Sequence, residues 1–239
     1  MKKNTSIVST LAICFLLFAL SSVSSCKKDN DPNALGGETN IALTQKDSVT
    51  SIYIEADGQT LPSTTIKVVS NNNGMVTYQT TIDLLGVPDS ILTELATVLP
   101  AMYSYYKPKD LTYQLTPDGK IQAQFTVKIT SEGMQDFFVE GKPFVAVKYN
   151  DPQGTSYSLQ MDNGTTITRT ITEKTGVDDW PYGFYYIKTS KIETICPADD
   201  PVMQKITYRA NHKFGLVYIE LQLKNGKVIK TDIFPWFLL

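Results

Sequence analysis

The acidic pair Asp178-Asp179 runs directly into the aromatic-rich stretch Trp180-Pro181-Tyr182-Gly183-Phe184-Tyr185-Tyr186. Two carboxylates can cleave a glycosidic bond without a cofactor, one as acid and the other as base or nucleophile. That chemistry needs the two groups on either side of one bond, which sequence neighbours rarely achieve. Binding suits the segment better, because tyrosine and tryptophan faces stack on sugar rings and peptide groups while carboxylates accept hydrogen bonds from hydroxyls. Asp178, Asp179, Trp180, Tyr182 and Tyr185 are therefore the candidate ligand-binding residues, for a glycan or a protein. A second cluster, Tyr103-Ser104-Tyr105-Tyr106, invites the same reading. The competing reading is structural: alternating Tyr182, Phe184 and Tyr186 would line a core.

Other reactive residue types are scarce. His212 is the single histidine, so a nucleophile–histidine pair or a Cys/His zinc set has almost nothing to draw on. The sequence contains no Gly-x-Ser-x-Gly, phosphate loop or His-Glu-x-x-His. We expect no catalytic residues, no metal and no cofactor. With 22 Lys and Arg against 24 Asp and Glu, the net charge of −2 also argues against a nucleic-acid partner, which requires a basic face.

The N-terminus carries its own chemistry. Lys2 and Lys3 precede an apolar run, Ile7 to Leu20, too short for the roughly 20 residues that cross a bilayer, so it reads as a secretory signal. Directly behind it stands Val23-Ser24-Ser25-Cys26, which resembles a bacterial lipobox. The resemblance implies cleavage before Cys26 and acylation of that cysteine, with residues 1–25 lost. Several acyl chains suffice for stable membrane anchoring. Acidic residues soon after Cys26 resemble the surface-export signals of Bacteroidota lipoproteins, and residues 1–40 together resemble those of Bacteroidota cell-envelope lipoproteins that have no assigned function. That resemblance implies an outer-membrane protein, with the cell surface favoured over the periplasmic face. Cys14 leaves with the signal and Cys26 takes the lipid. Cys196 is then alone, and reads as a small buried hydrophobe.

Residues 26–40 are polar and glycine-containing, and we read them as the lipidated cysteine and a flexible tether. The remainder leans towards β structure, since 28 Thr, 19 Ile and 16 Val make up about a quarter of the 239 residues. Three hairpins can be registered. A three-residue turn at Lys224-Asn225-Gly226 puts Ile219 and Leu221 opposite Thr231 and Ile229 and pairs Glu220 with Lys230. The turn around Pro117-Asp118-Gly119 sets Leu111, Tyr113 and Leu115 against Phe125, Ala123 and Ile121. Asp162-Asn163-Gly164 sets Leu159 against Ile167. Short runs alternating at period two predict further strands over 49–55, 65–70, 75–83, 143–149, 185–195 and 205–210. One helix is expected near 89–99, where Ile91, Leu92, Leu95, Val98 and Leu99 form a stripe that Pro100 should end.

The fold class is all-β, mainly antiparallel, with one short helix. Ordered matches, such as Gly86-Val87-Pro88-Asp89 with Gly176-Val177-Asp178-Asp179, suggest a tandem duplication of roughly 90–95 residues. On that reading β-sandwich-like modules span 41–140 and 141–239; a single irregular sandwich or barrel is the alternative. Functionally, the sequence points to a non-catalytic, lipid-anchored envelope protein that binds a glycan or protein. A fimbrial or adhesive subunit and a carboxylate-dependent glycan hydrolase stand behind it.

Overall fold

A computed structural model describes residues 31–235. The expected signal sequence, Cys26 and the last four residues lie outside the described residues. The described residues from Pro32 onward cluster as one compact unit.

Antiparallel strands joined by tight turns dominate. In chain order they are β1 (Val49–Ala56), β2 (Gln59–Thr60), β3 (Thr64–Asn72), β4 (Met75–Asp83), β5 (Leu111–Leu115), β6 (Lys120–Thr130), β7 (Gly133–Asp136) and β8 (Phe144–Lys148). They continue as β9 (Ser156–Gln160), β10 (Thr166–Lys174), β11 (Trp180–Tyr182), β12 (Tyr185–Ile187), β13 (Ser190–Ile195), β14 (Met203–Asn211), β15 (Gly215–Leu223) and β16 (Val228–Pro235). Among the described residues a single α-helix, α1 (Asp89–Tyr106), follows β4, so the fold is all-β with one helix, as composition suggested.

The sheet runs β8-β7-β6-β4-β3-β1-β16-β15-β14-β13-β10-β9, with β2 added on β1 and β5 on β6. β1 and β16 pair in register, Ile52 opposite Ile233, and thereby join the two ends of the chain. The order then stops at β8 and β9, which are consecutive in sequence but not paired, so the curved sheet has one seam. Alternation gives it an inner face carrying Ile54, Ile66, Phe125, Ile171, Ile192, Leu221 and their register partners. Several of these are fully buried, including Val68, Ile171 and Ile192.

Side chains close the seam where the ladder does not. The Val145 N–H donates to Asn33 Oδ1 at 3.1 Å, and Asn33 Nδ2 donates to the Ser158 carbonyl at 2.9 Å. One asparagine amide thus spans β8 and β9 as a peptide group would. Arg169 on β10 adds a bond from Nη1 to the Phe144 carbonyl at 3.1 Å. β7 and β8 approach so closely that a Cβ on Gly133 would lie 2.1 Å from the Val147 carbonyl oxygen, so only glycine fits there.

These contacts correct the expected tether. Asn33 and Leu35 are both buried, Lys128 Nζ donates to the Leu35 carbonyl, and the Glu38 N–H donates to Ser131 Oγ. Residues 33–40 strap the seam and the rim of the sheet. Polar composition misled here because side-chain amides and backbone carbonyls, together with the buried Leu35, make the attachment.

All three registered hairpins form as expected, with Glu220 opposite Lys230, Tyr113 opposite Ala123, and Leu159 opposite Ile167. The helix differs. It continues through Pro100 to Tyr106 and ends at Lys107, whose φ of 48° is left-handed. An internal proline costs about 3 kcal/mol. Beyond it, however, Met102 packs on the core and Tyr106 is 2% exposed, and burying a large side chain contributes about 1.5–3 kcal/mol. The expected strand 185–195 is split into β12 and β13, the first belonging to a separate two-stranded hairpin with β11.

Candidate functional site

The β11–β12 hairpin carries the sequence-proposed binding residues, and it divides them. Tyr182 is 2% exposed: its ring stacks on Phe214 at 5.1 Å and on Phe234 at 4.9 Å, and its hydroxyl donates to the Ile233 carbonyl at 3.0 Å. Burial pushes its phenol pKa upward. With Ile187, Phe214 and Val217 it forms a small satellite core that fastens the hairpin to the sheet.

Trp180 is half-buried and lies on Arg209, whose guanidinium carbon is 4.1 Å from the ring centroid. Arg209 in turn pairs with Glu173 at 3.3 Å and donates to Thr189 Oγ1 at 3.0 Å. Trp180 is therefore held flat on the outer face of the sheet rather than offered to a ligand. Phe184 at the tip is 98% exposed, and Tyr185 and Tyr186 are exposed beside it. Asp178 and Asp179 are exposed on the approach to β11. The structure thus places Asp178, Asp179 and Tyr185 at the surface and uses Tyr182 and Trp180 as fasteners, so the segment is both core and surface, position by position. Phe184 and Tyr186 join the surface group.

The second tyrosine cluster is the last turn of α1. Tyr105 donates to Asp199 Oδ1 at 3.0 Å, and Tyr106 to Asp200 Oδ2. Asp200 also accepts the Val202 and Met203 N–H groups. Tyr106 and Asp200 both border Cys196, and burial pushes that thiol up to about 11. This supports the reading of Cys196 as an inert packing residue. His212 is exposed in the turn between β14 and β15. Among the described residues, no three His, Cys, Asp or Glu are grouped to hold a metal ion.

A chamber that the sequence did not suggest lies beneath α1. About 310 Å³ in volume, it is enclosed by Leu95, Leu99 and Met102 of the helix and by inner-face side chains such as Ile54, Ala123 and Leu221. Its charged residues are Asp57, Glu94 and Lys227, and the other polar ones are Gln59, Ser90, Thr231 and Tyr113. The helix is held over it at two points. At the C-terminal end are the Tyr105 and Tyr106 bonds; towards the N-terminus Glu94 accepts from Asn225 Nδ2 at 2.7 Å and from Lys227 Nζ at 2.9 Å. The apolar stripe of α1 was visible in sequence, but periodicity alone does not distinguish a helix packed on a filled core from one roofing a space.

No protein-family model matches the chain, and neither does any curated protein. Two solved structures are similar at low identity. One is a Bacteroides fragilis chain described as an exported protein with a YmcC-like fold, 9% identical, covering 80% of this chain and 95% of its own, with a TM-score of 0.41. The other is a Parabacteroides distasonis chain described as a lipoprotein, also 9% identical, covering 83% and 98%, with a TM-score of 0.36.

Proposed function

We propose that the protein is a lipid-anchored, non-catalytic binding protein of the bacterial outer membrane, held through Cys26 and facing the cell surface. The anchor rests on the sequence of residues 1–26. The binding role rests on one observation: the hairpin is fastened through Tyr182 while Phe184, Tyr185 and Tyr186 stand in solvent next to Asp178 and Asp179. A rigidly held, exposed aromatic tip loses little conformational freedom on binding, and the ligand it suits is a glycan or a protein surface.

Two measurements test this. Phe184→Ala with Tyr186→Ala should abolish capture of the ligand in a glycan array or pull-down while leaving the thermal midpoint unchanged. Retained capture would remove the hairpin as the site. Cys26→Ala should move the chain from the membrane to the soluble fraction, and a variant that stays membrane-bound would overturn the anchor.

A further inference from the structure

We propose that the chamber beneath α1 is a binding site for a single unbranched hydrocarbon chain carrying a carboxylate head, the chemistry of a fatty acid. This site is separate from the hairpin and does not depend on it.

Volume comes first. About 310 Å³ falls within the range of small-molecule sites, roughly 300–1,000 Å³. Towards β10 and β13 the inner face is closely packed, with Ile171 and Ile192 fully buried. Around the chamber, large apolar side chains such as Leu95, Leu99, Met102, Leu111, Ile121 and Leu221 are only half-buried. Apolar surface left uncovered inside a fold is the surface a ligand would gain most by covering.

Shape selects the chain. A second apolar cavity of about 130 Å³ lies further along the same inner face. In-register neighbours line the two: Ala123, Thr231 and Leu221 the larger, Phe125, Ile233 and Ile219 the smaller. On β1 Thr50 lines the smaller cavity and Ile54 and Ala56 the larger, with the buried Ile52 between them. The larger chamber, walled by α1 on one side and strand side chains on the other, suits a flexible chain that follows its lining better than a rigid ring system.

The head group follows from the rim. Asn225 and Lys227 already hold a carboxylate there, that of Glu94, through two hydrogen bonds. A ligand carboxylate could share Lys227 or displace Glu94 from it, leaving the chain inside.

The test uses the compact unit 32–239, which contains the whole sheet and both of its joined ends, after denaturation and refolding to strip carried-over lipid. The probe is a fluorescent fatty acid with a terminal carboxylate, alongside the corresponding alcohol. We expect saturable one-to-one binding, displaced by palmitate. Ala123→Trp, which fills the chamber, should weaken it by at least about tenfold. Lys227→Ala should weaken the acid but not the alcohol, and Phe184→Ala should change neither. Absence of saturable binding, or wild-type affinity in Ala123→Trp, would overturn the site. Equal losses for acid and alcohol in Lys227→Ala would overturn the head-group assignment. Should Ala123→Trp fail to fold, Leu99→Trp asks the same question from the helix side.

Discussion

Arg169 Nη2 lies 2.8 Å from Asp136 Oδ2, and the two side chains are 4% and 22% exposed. The same guanidinium sits 3.9 Å over the Phe144 ring and donates to the Phe144 carbonyl. A charge on the inner face of β10 thus ties together β7 and β8, strands that the ladder leaves unconnected to β10. Removing one partner of a buried pair strands the other. Asp136→Ala should therefore cost about 3–5 kcal/mol in urea unfolding. Asp136→Asn, which keeps a hydrogen-bond acceptor, should cost less. Equal and small effects would mean that the pair is not desolvated in the folded protein.

Asn33 acts on the same seam by hydrogen bonding alone. Asn33→Ala leaves the Val145 N–H, on a fully buried residue, without its acceptor, a loss of about 1–3 kcal/mol. Hydrogen exchange should show the Val145 amide losing protection while amides of β14 and β15 keep theirs. A uniform loss would indicate global destabilisation instead.

The hairpin offers a paired comparison. Tyr182→Ala removes a ring packed between Phe214 and Phe234 and should cost about 3–5 kcal/mol. Phe184→Ala, at a position 98% exposed, should stay within about 0.5 kcal/mol of wild type. A similar loss in both would put Phe184 in the core.

Acid should loosen the helix. The bond from Lys227 holds the Glu94 carboxyl below its ordinary value of 4.5. A carboxylate with a lowered folded-state pKa contributes stability above the unfolded value, and that contribution is lost as pH falls through the folded value. Glu94→Gln should therefore melt below wild type at pH 7, with the difference closing below pH 4.5. A difference that persists at pH 3 would show that the charge is not what holds α1.

Much of this fold was legible because hairpin turns constrain register locally. Lys224-Asn225-Gly226 allows one face-consistent pairing of β15 with β16, and the structure adopts it. The join between β1 and β16 left no comparable mark, since nothing in either strand names a partner so distant. Pro100 misled because its local penalty was visible and the burial of Tyr106 was not. Both Asn-Gly turns, at 73–74 and 163–164, close a hairpin that leads into an inserted element, α1 after β4 and β11–β12 after β10. The matched Tyr113 and Tyr208, however, fall on β5 and β14, which hold different places in the sheet. At the candidate site, composition identified the aromatic segment, but alternation alone did not reveal which rings face inward.

The pairing of β1 with β16 also bears on biogenesis. Glu55 and Lys230, bonded across those strands, are 175 residues apart. A contact so remote is closed late and slowly. A chain synthesised N-terminus first carries β1 with one edge unpaired until nearly all of its length has been made. During that interval the exposed edge is open to pairing with other chains, and loss of β16 would bare the edges of β1 and β15 in addition to those at the seam.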